Sequence, residues 1–332
     1  PPPPPPPASA PRGRANRLAA GPFMPLHRAA DYFHTGGASM AAPEIVGSEL
    51  VDSLHPLEPR ADALEVPKAS VRRFWNRASC GEVYAKGDDF AEQMHLAERT
   101  RYSLEPYIRK FADFESAKDR DVLEVGVGMG CDHLQWARSH PRRLCGVDLT
   151  PRAIEFASRH LALHGFDSEL EVADAENLPF EDEAFDLVYS FGVLHHSPNT
   201  PRAIRQVHRV LRPGGVARIM IYHRASLTGL MLWARYALLA GRPFRSLDDV
   251  YAHHLESPGT KAYSVREARE LFRDFSSVRI HIQLNHGDLL EGAVGQRHRG
   301  ALLSLARKLW PRGLIRRTLG RLGLYLMIEA IR

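Results

Sequence analysis

The stretch DVLEVGVGMGCDHLQWA, residues 121–137, decides the fold class. Its apolar beginning is typical of a short buried strand, and its second half has the spacing of a helix. Three alternating glycines, Gly126, Gly128 and Gly130, therefore occupy the turn between strand and helix. Because glycine has no side chain, this turn allows the backbone to approach a bound molecule closely. The sequence predicts a ligand-binding turn.

Strands and helices alternate from residue 119 onward, with the spacing of a parallel sheet wound by crossover helices. The predicted strands are 121–127, 143–149, 169–175, 185–191, 216–222, 276–284 and 322–332. The predicted helices are 131–139, 151–165, 201–215 and 264–275. We therefore predict an α/β fold with a doubly wound sheet.

Acidic and small residues follow the predicted strands at their carboxyl ends, where ligands bind in doubly wound sheets. Asp148, 18 residues after Gly130, is placed to bind two ribose hydroxyls with one carboxylate. Asp174 is placed to accept a hydrogen bond from an exocyclic adenine amine, and the backbone of Ala175 to face the ring edge. The pattern predicts an adenosine site. The predicted cofactor-binding residues are Glu124, Gly126, Gly128, Gly130, Asp148, Leu149, Asp174, Ala175 and Ser190.

An NAD-dependent dehydrogenase is the competing interpretation, because its fold also has a glycine turn followed by an acid. That turn reads G-x-G-x-x-G, whereas the order here is G-x-G-x-G. Four segments, VLEVGVGMG, GVDLT, DAENLPFEDEAFDLVYSFGVLHH and RVLRPGGVARIMIY, follow one another between residues 122 and 222. In these segments the chain resembles the class I S-adenosylmethionine-dependent methyltransferases. It is similar to their small-molecule branch, the C- and O-methyltransferases of quinone and secondary metabolism.

The resemblance implies a Rossmann-like, seven-stranded doubly wound sheet whose last strand, 322–331, runs antiparallel between the fifth and sixth strands. It also implies an enzyme that uses S-adenosylmethionine to methylate a small-molecule acceptor. A protein that binds this cofactor without catalysis is the alternative from another class. An NAD-dependent dehydrogenase is the further alternative.

On this interpretation the chain has three parts: a disordered tail (1–64), an N-terminal helical cap (65–118) and a methyltransferase domain (119–332). The domain carries insertions at about 224–262 and 285–320. Seven leading prolines and the lack of a periodic apolar pattern indicate that the residues before Met40 are dispensable.

Four residues near the ends of the fourth and fifth predicted strands are candidates for acid–base chemistry: His195, His196, Tyr222 and His223. The cofactor's sulfonium already activates the methyl group, so a base is needed only where the acceptor atom has a high pKa. The alternative for the histidine pair is that it only shapes a loop.

Two further regions are predicted to cover the site. The helical cap contributes a candidate lid, unless it simply packs on the sheet; its residues are Trp75, Cys80, Tyr84, Arg101 and Tyr102. In the first insertion, a helical stripe without an acid predicts a largely apolar or aromatic acceptor. The stripe consists of Leu230, Met231, Trp233, Tyr236 and Leu239.

Composition excludes other classes. The net charge is only +5, 38 of the 44 basic residues are arginine, and basic and aromatic residues do not alternate, so no nucleic-acid partner is expected. Cys80, Cys131 and Cys145 lack metal-ligand spacing, and their odd number suits free thiols in the cytoplasm. No run approaches the ~20 apolar residues of a membrane-spanning helix. The basic residues of 307–321 interleave with leucines and Trp310, and they form either a peripheral membrane contact or a solvated face.

Overall fold

The computed structural model describes residues 67–291 and 307–332, which contain a seven-stranded sheet. The strands are β1 Asp121–Val125, β2 Arg143–Asp148, β3 Glu169–Val172, β4 Phe185–Phe191, β5 Leu211–Tyr222, β6 Ser277–Gln283 and β7 Tyr325–Ile331. Their order across the sheet is β3-β2-β1-β4-β5-β7-β6. Strands β1 to β5 are parallel, whereas β7 runs antiparallel to both β5 and β6. The predicted fold class and the place of the last strand are confirmed.

The main helices of the described residues begin with α1 Lys68–Arg77, α2 Phe90–Leu104, α3 Tyr107–Ala112, α4 Cys131–Arg138 and α5 Pro151–Leu163. They continue with α6 Thr200–Val210, α7 Leu227–Trp233, α8 Leu247–His254, α9 Val265–Leu271 and α10 Arg312–Thr318. Helices α1 to α3 precede β1, in the part of the chain where the sequence predicts a helical cap. The predicted tail, 1–64, lies outside the described residues.

Capping residues explain where several helices begin. The side chains of Thr150 and Asn199 accept hydrogen bonds from backbone amides of the first turn of α5 and α6, and a proline follows in each case. At the start of α9, Ser264 and Glu267 form a reciprocal capping box. These helices therefore start where their sequences supply an acceptor for the free amides.

The helix predicted over 201–215 is wrong in its last turn. Helix α6 ends at Val210, and β5 begins at Leu211. Pro213 has no amide hydrogen with which to continue a helix, and Gly214 adopts a φ of 78°. Leu211 pairs instead with Phe185 of β4.

Both faces of the central strands β1 and β4 are buried, as expected for parallel strands covered by helices. Side chains of β4 alternate between the faces. Leu187 and Tyr189 pack in one cluster with Trp136 of α4, whereas Val188 packs in another cluster with Ile204 of α6. The sheet therefore holds the carboxyl ends of its strands in fixed positions.

The two insertions pack against each other. Leu227 of α7 and Ile315 of α10 belong to one hydrophobic cluster. Asp288 links them to the sheet, because it accepts hydrogen bonds from the backbone amides of Thr228 at 2.9 Å and Leu324 at 2.7 Å. Within residues 67–291 and 307–332, no helix combines the length and apolarity needed to cross a lipid bilayer.

Candidate active site

A cavity of about 720 Å³ lies beyond the carboxyl ends of the strands. Its volume falls in the range of roughly 300–1,000 Å³ that is typical of small-molecule sites. The strand ends, helices α1 and α2 and both insertions contribute to its walls. The predicted site residues that line it are Glu124, Gly126, Gly128, Asp148, Leu149, Asp174, Ala175, His196 and Tyr222. The predicted residues that do not line it are Gly130, Ser190, His195 and His223.

The glycine turn leaves its middle residue open to the cavity. A Cβ atom at Gly126 would lie 2.2 Å from Val193, and one at Gly130 would lie 2.8 Å from Ala157. A Cβ atom at Gly128, whose φ is 52°, would meet no protein atom within 4 Å. Gly126 and Gly130 therefore permit close packing, whereas Gly128 leaves bare backbone beside the cavity, as a closely bound cofactor requires.

Asp148, at the end of β2, holds this turn in place. Its Oδ2 accepts a hydrogen bond from the Gly128 amide at 3.2 Å, and its Oδ1 accepts two from the amide and hydroxyl of Thr150, both at 2.9 Å. Burial raises the pKa of Asp148, and these donors oppose the rise. Because a carboxylate accepts about four hydrogen bonds, capacity remains for a ligand hydroxyl.

Glu124 forms a buried pair with His133. Its Oε2 lies 2.9 Å from Nδ1 of His133, and Nε2 of that ring lies 2.8 Å from the hydroxyl of Ser168. Ser168 donates its proton to the Leu144 carbonyl, so it accepts from Nε2–H of His133. Burial raises the pKa of Glu124 well above its usual value and lowers the pKa of His133 to about 3. Burial therefore disfavours the charged form of both side chains.

Asp174 is held by a lysine from α1. Lys68 Nζ donates to Asp174 Oδ2 and, at 2.8 Å, to Glu176 Oε2. Oδ1 of Asp174 accepts from the Glu176 amide at 2.9 Å. The carboxylate predicted to receive an adenine amine thus already has a cationic partner that the sequence did not identify. This contact fastens α1 beside the end of β3.

The remaining predicted cofactor residues divide between cavity and interior. Leu149 and Ala175 line the cavity. Ser190 is fully buried, and its hydroxyl donates to the Val125 carbonyl at 2.8 Å. Ser190 is therefore placed to join β4 to β1, away from the cavity.

A polar cluster lines the cavity near the end of β5. The hydroxyl of Tyr222 donates to Glu256 Oε2 at 2.7 Å, and Nε2 of His196 lies 3.2 Å from the same oxygen. A lone pair on Nε2 would face a carboxylate oxygen, so we assign the ring proton to Nε2. Burial alone would raise the pKa of Glu256, but these donors hold it below its usual value. Glu256 is thus an ionised carboxylate at the cavity wall.

The other side of the His196 ring is fixed by two hydroxyl groups. Ser257 Oγ lies 2.9 Å from Nδ1, and Thr260 Oγ1 lies 3.1 Å from it. The Thr260 hydroxyl donates to the Ser257 carbonyl at 2.6 Å, which leaves the Ser257 hydroxyl as the donor to Nδ1. Nδ1 of His196 is therefore held by hydroxyl groups, while Nε2 lies within ion-pair distance of Glu256.

His195 and His223 do not line the cavity themselves, although His195 lies against His196 and Tyr222, which do. His195 is fully buried, with its ring centroid 3.8 Å from that of Tyr222, and burial lowers its pKa well below the usual value. Nδ1 of His223 donates to the Gly323 carbonyl at 3.0 Å, and burial lowers the pKa of this ring also. Neither histidine lines the cavity, and the base role expected for them stays a prediction.

A second acid, Glu105, lies at the same cavity. It accepts hydrogen bonds from the hydroxyls of Tyr325 at 2.7 Å and Tyr107 at 3.1 Å, and its Oε1 lies 3.6 Å from Nδ1 of His286. Burial raises the pKa of Glu105, but His286 and Arg101 outweigh this effect and hold it below its usual value. Glu105 and Glu256 were not predicted, because neither follows a predicted strand and the rule for strand ends does not reach them.

Four of the five predicted lid residues line the cavity: Trp75, Cys80, Tyr84 and Arg101. The Trp75 ring centroid lies 5.2 Å from that of His196, so α1 reaches the polar cluster. The fifth residue, Tyr102, is buried and donates to Asp132 Oδ1 at 2.8 Å. The segment before β1 thus covers the cavity as well as packing on the sheet.

The apolar stripe of the first insertion is divided by the fold. Met231 and Leu239 line the cavity. Trp233 and Tyr236 pack in a hydrophobic cluster between α7 and α8, and Leu230 is exposed. The expectation that the whole stripe faces a substrate is therefore wrong for three of its five residues.

Residues 123–219 match a family model described as a methyltransferase domain. The chain is 36% identical over 151 residues to phthiotriol/phenolphthiotriol dimycocerosates methyltransferase 1 of Mycobacterium ulcerans (strain Agy99), a match that covers 45% of this chain and 53% of that protein. It is 31% identical over 118 residues to ajmaline N-methyltransferase of Rauvolfia serpentina, covering 35% and 40% of the two chains.

A third relative is 27-O-demethylrifamycin SV methyltransferase of Amycolatopsis mediterranei (strain S699), with 36% identity over 101 residues, 30% of this chain and 37% of that protein. The matches to these three proteins span about half of their length or less. The residues that match the family model, 123–219, contain the glycine turn and the ends of β1 to β4.

Proposed function

We propose that this chain, which carries a class I S-adenosylmethionine-dependent methyltransferase domain, transfers a methyl group to a small organic acceptor bound in the cavity. The fold and the matched domain agree with the family that the sequence resembles, and the cofactor of that family is S-adenosylmethionine. One observation carries the proposal: a single cavity joins the open backbone at Gly128 to the carboxylate of Glu256. A cofactor and an acceptor can therefore meet inside it.

The residues around the glycine turn fit S-adenosylmethionine. Gly128 offers bare backbone, Asp148 retains an acceptor position for a ribose hydroxyl, and Asp174 and Ala175 lie where an adenine is expected. When bound, the cofactor supplies a methyl group activated by its sulfonium. The chain's own residues therefore mainly have to align the acceptor and exclude water.

We assign the role of general base to Glu256. Tyr222 donates to its Oε2, and Nε2 of His196 lies 3.2 Å from the same oxygen, whereas Oε1 has no hydrogen bond from the described residues. Oε1 is therefore available to the proton of an acceptor hydroxyl or amine. During transfer that proton moves to Glu256, which becomes a neutral carboxylic acid while the acceptor atom gains the methyl group. Tyr222 and His196 are positioning residues in this scheme.

The acceptor proposed here is largely apolar or aromatic with a few polar groups. Trp75, Val83, Met231 and Leu255 contribute apolar wall, and Glu256 and Glu105 provide polar points. The three relatives are named for different acceptors, so the shared domain does not fix the acceptor. Selection of the acceptor is assigned to the cap and the insertions, which lie largely outside the matched residues 123–219.

The test compares wild type with Glu256→Gln. S-adenosylmethionine binding is measured by calorimetry, and formation of S-adenosylhomocysteine is measured with an acceptor panel of phenols, alcohols and amines. We expect unchanged cofactor affinity and a loss of turnover of about 100-fold or more, the usual contribution of a general base. Glu171→Gln, at an exposed position of β3, is the matched control.

Three outcomes contradict the proposal. Cofactor binding without turnover of any acceptor by wild type supports the alternative of a non-catalytic binding protein. Binding of NAD in place of S-adenosylmethionine supports a dehydrogenase. Full turnover by Glu256→Gln would show that Glu256 is not the general base. Catalysis would then come from the alignment of the acceptor.

A further inference from the structure

Within residues 67–291 and 307–332, the exposed large apolar side chains are concentrated in the two insertions. Among the described residues, Leu163 and Val172 are exposed elsewhere on the surface. The others lie in or beside α7 and α10, and they include Phe244 with 99% of its surface exposed. We call this group the docking surface: Leu230, Leu238, Leu239, Phe244, Leu309 and Leu314.

The two halves of the docking surface are held together by packing. Leu227 of α7 lies in the same hydrophobic cluster as Ile315 and Trp310 of the second insertion. Asp288 ties α7 to the start of β7, and its backbone carbonyl accepts from the Trp310 indole N–H at 2.9 Å. The apolar side chains therefore project from one connected part of the molecule.

The charge of this part is one-sided. Residues 225–247 contain three arginines and no acid, and residues 307–322 contain six basic residues and no acid. Arg235, Arg242, Lys308 and Arg317 are exposed. Nearby acids are already engaged, since Asp249 pairs with Arg245 and Glu291 pairs with Arg316. The docking surface thus lies beside exposed cations, Arg235, Arg242, Lys308 and Arg317, that form no ion pair with another described residue.

The cavity opens at this surface. Arg235 and Leu239 line the cavity and are exposed, Leu239 with 74% of its surface. Trp310, next to exposed Leu309, lines it from the second insertion. The cavity wall therefore includes Leu239 of the docking surface and Trp310, the neighbour of Leu309.

We propose that the docking surface binds an anionic lipid membrane, with the cavity mouth toward the bilayer. Apolar side chains that protrude from a basic surface suit the boundary between headgroups and acyl chains, and arginine and lysine are attracted to anionic lipids. A protein partner with a matching acidic groove is the other occupant, and a second copy of this chain is disfavoured because the surface repels its own charge. An acceptor dissolved in the bilayer gains a direct route to the cavity, a consequence that rests on the proposed function.

The test is co-sedimentation of the full chain with vesicles, which does not depend on enzymatic activity. We expect binding to vesicles of phosphatidylcholine with one-third phosphatidylglycerol, at least tenfold weaker binding to pure phosphatidylcholine, and weakening as the salt concentration rises. Phe244→Glu combined with Leu309→Glu should reduce binding at least tenfold. Leu163→Glu, an exposed apolar residue of α5, should leave binding unchanged.

Each further result decides the proposal. The double variant Arg242→Gln with Lys308→Gln should make vesicle binding less dependent on the salt concentration, because fewer cations then contact the lipid. The proposal is overturned if the protein does not bind anionic vesicles. It is also overturned if Leu163→Glu reduces vesicle binding as much as Phe244→Glu combined with Leu309→Glu. A dimer seen by light scattering that Phe244→Glu dissociates, without vesicle binding, overturns it in favour of an interface between copies. Vesicle binding with no methyl transfer leaves the membrane proposal standing and contradicts only the proposed function.

Discussion

Asp148 combines two tasks in one carboxylate. It accepts hydrogen bonds from Gly128 and Thr150, which shape the glycine turn, and it faces the cavity where a ribose is expected. A hydrogen bond to a charged group contributes about 1.5–3 kcal/mol. We therefore predict that Asp148→Ala weakens S-adenosylmethionine binding tenfold or more while the protein remains folded.

Calorimetry measures the affinity for S-adenosylmethionine, and thermal melting measures the stability of the fold. Asp274→Ala, at an exposed acid whose one ion pair among the described residues is with neighbouring Arg273, is the control and should bind cofactor normally. An unchanged affinity of Asp148→Ala would remove this residue from the cofactor site. Asn at position 148 should retain part of the affinity, because its amide oxygen still accepts from the turn.

The acid limb of the pH profile distinguishes Glu256 from a histidine base. The donors Tyr222 and His196 hold the pKa of Glu256 below its usual 4.5 despite burial, so the carboxylate persists above that pH and is lost only below it. We predict that kcat/KM falls on the acid side only below pH 4.5, provided that the protein stays folded there. A limb near the usual histidine pKa of about 6.5 would instead assign the base to a histidine.

Helix α1 depends on one lysine for its position over the cavity. Lys68 donates to Asp174 and Glu176, which follow β3. A partly exposed ion pair contributes up to about 1 kcal/mol, a factor of about five in an equilibrium. We predict that Lys68→Met raises the rate of S-adenosylmethionine dissociation several-fold and makes the arginines of α1 more accessible to trypsin.

Stopped-flow dissociation and limited proteolysis test this prediction. The control is Arg73→Met, because Arg73 lies on the same helix and, among the described residues, its side chain bonds to Ser70 one turn away and to no other residue. Equal effects of the two substitutions would show that α1 responds to any lost charge and that Lys68 does not fasten it.

The elements of the sheet were predictable because each strand has a strong local pattern. The apolar run before Gly126 indicates a strand that is buried on both faces. The antiparallel last strand was expected from the family resemblance. The end of α6 was misjudged because apolar spacing continues through Leu211, although Pro213 and Gly214 stop the helix. Local periodicity thus locates an element better than it locates the boundary of that element.

The polar cluster was less predictable because its members come from distant segments. The rule for strand ends places His196 and Tyr222 near a ligand, but it cannot distinguish His196 from His195. The two rings are adjacent in the sequence, and only the ring of His196 lines the cavity. Glu256 and Glu105 lie in irregular segments, and only tertiary packing brings them to the same cavity. Lys68 escaped prediction for the same reason.

At the scale of the whole molecule, the residues before Met40 are expected to be dispensable. They lie outside the described residues, and they begin with seven prolines and have no periodic apolar pattern. We predict that a chain starting at Met40 melts within about 2 °C of the full chain and binds S-adenosylmethionine equally, because little apolar surface is available to bury. A clearly lower melting temperature would show that this segment packs on the folded part.

We propose that residues 123–219 bind the cofactor and that the cap and the insertions select the acceptor. This account requires methyl transfer to occur in the cavity. The most direct measurement incubates wild type and Glu256→Gln with an extract of the source cells and S-adenosylmethionine labelled in its methyl group, followed by mass spectrometry. The account predicts a labelled small molecule with wild type and its near absence with Glu256→Gln, while both proteins bind the cofactor. Cofactor binding by wild type without any labelled small molecule would contradict the account.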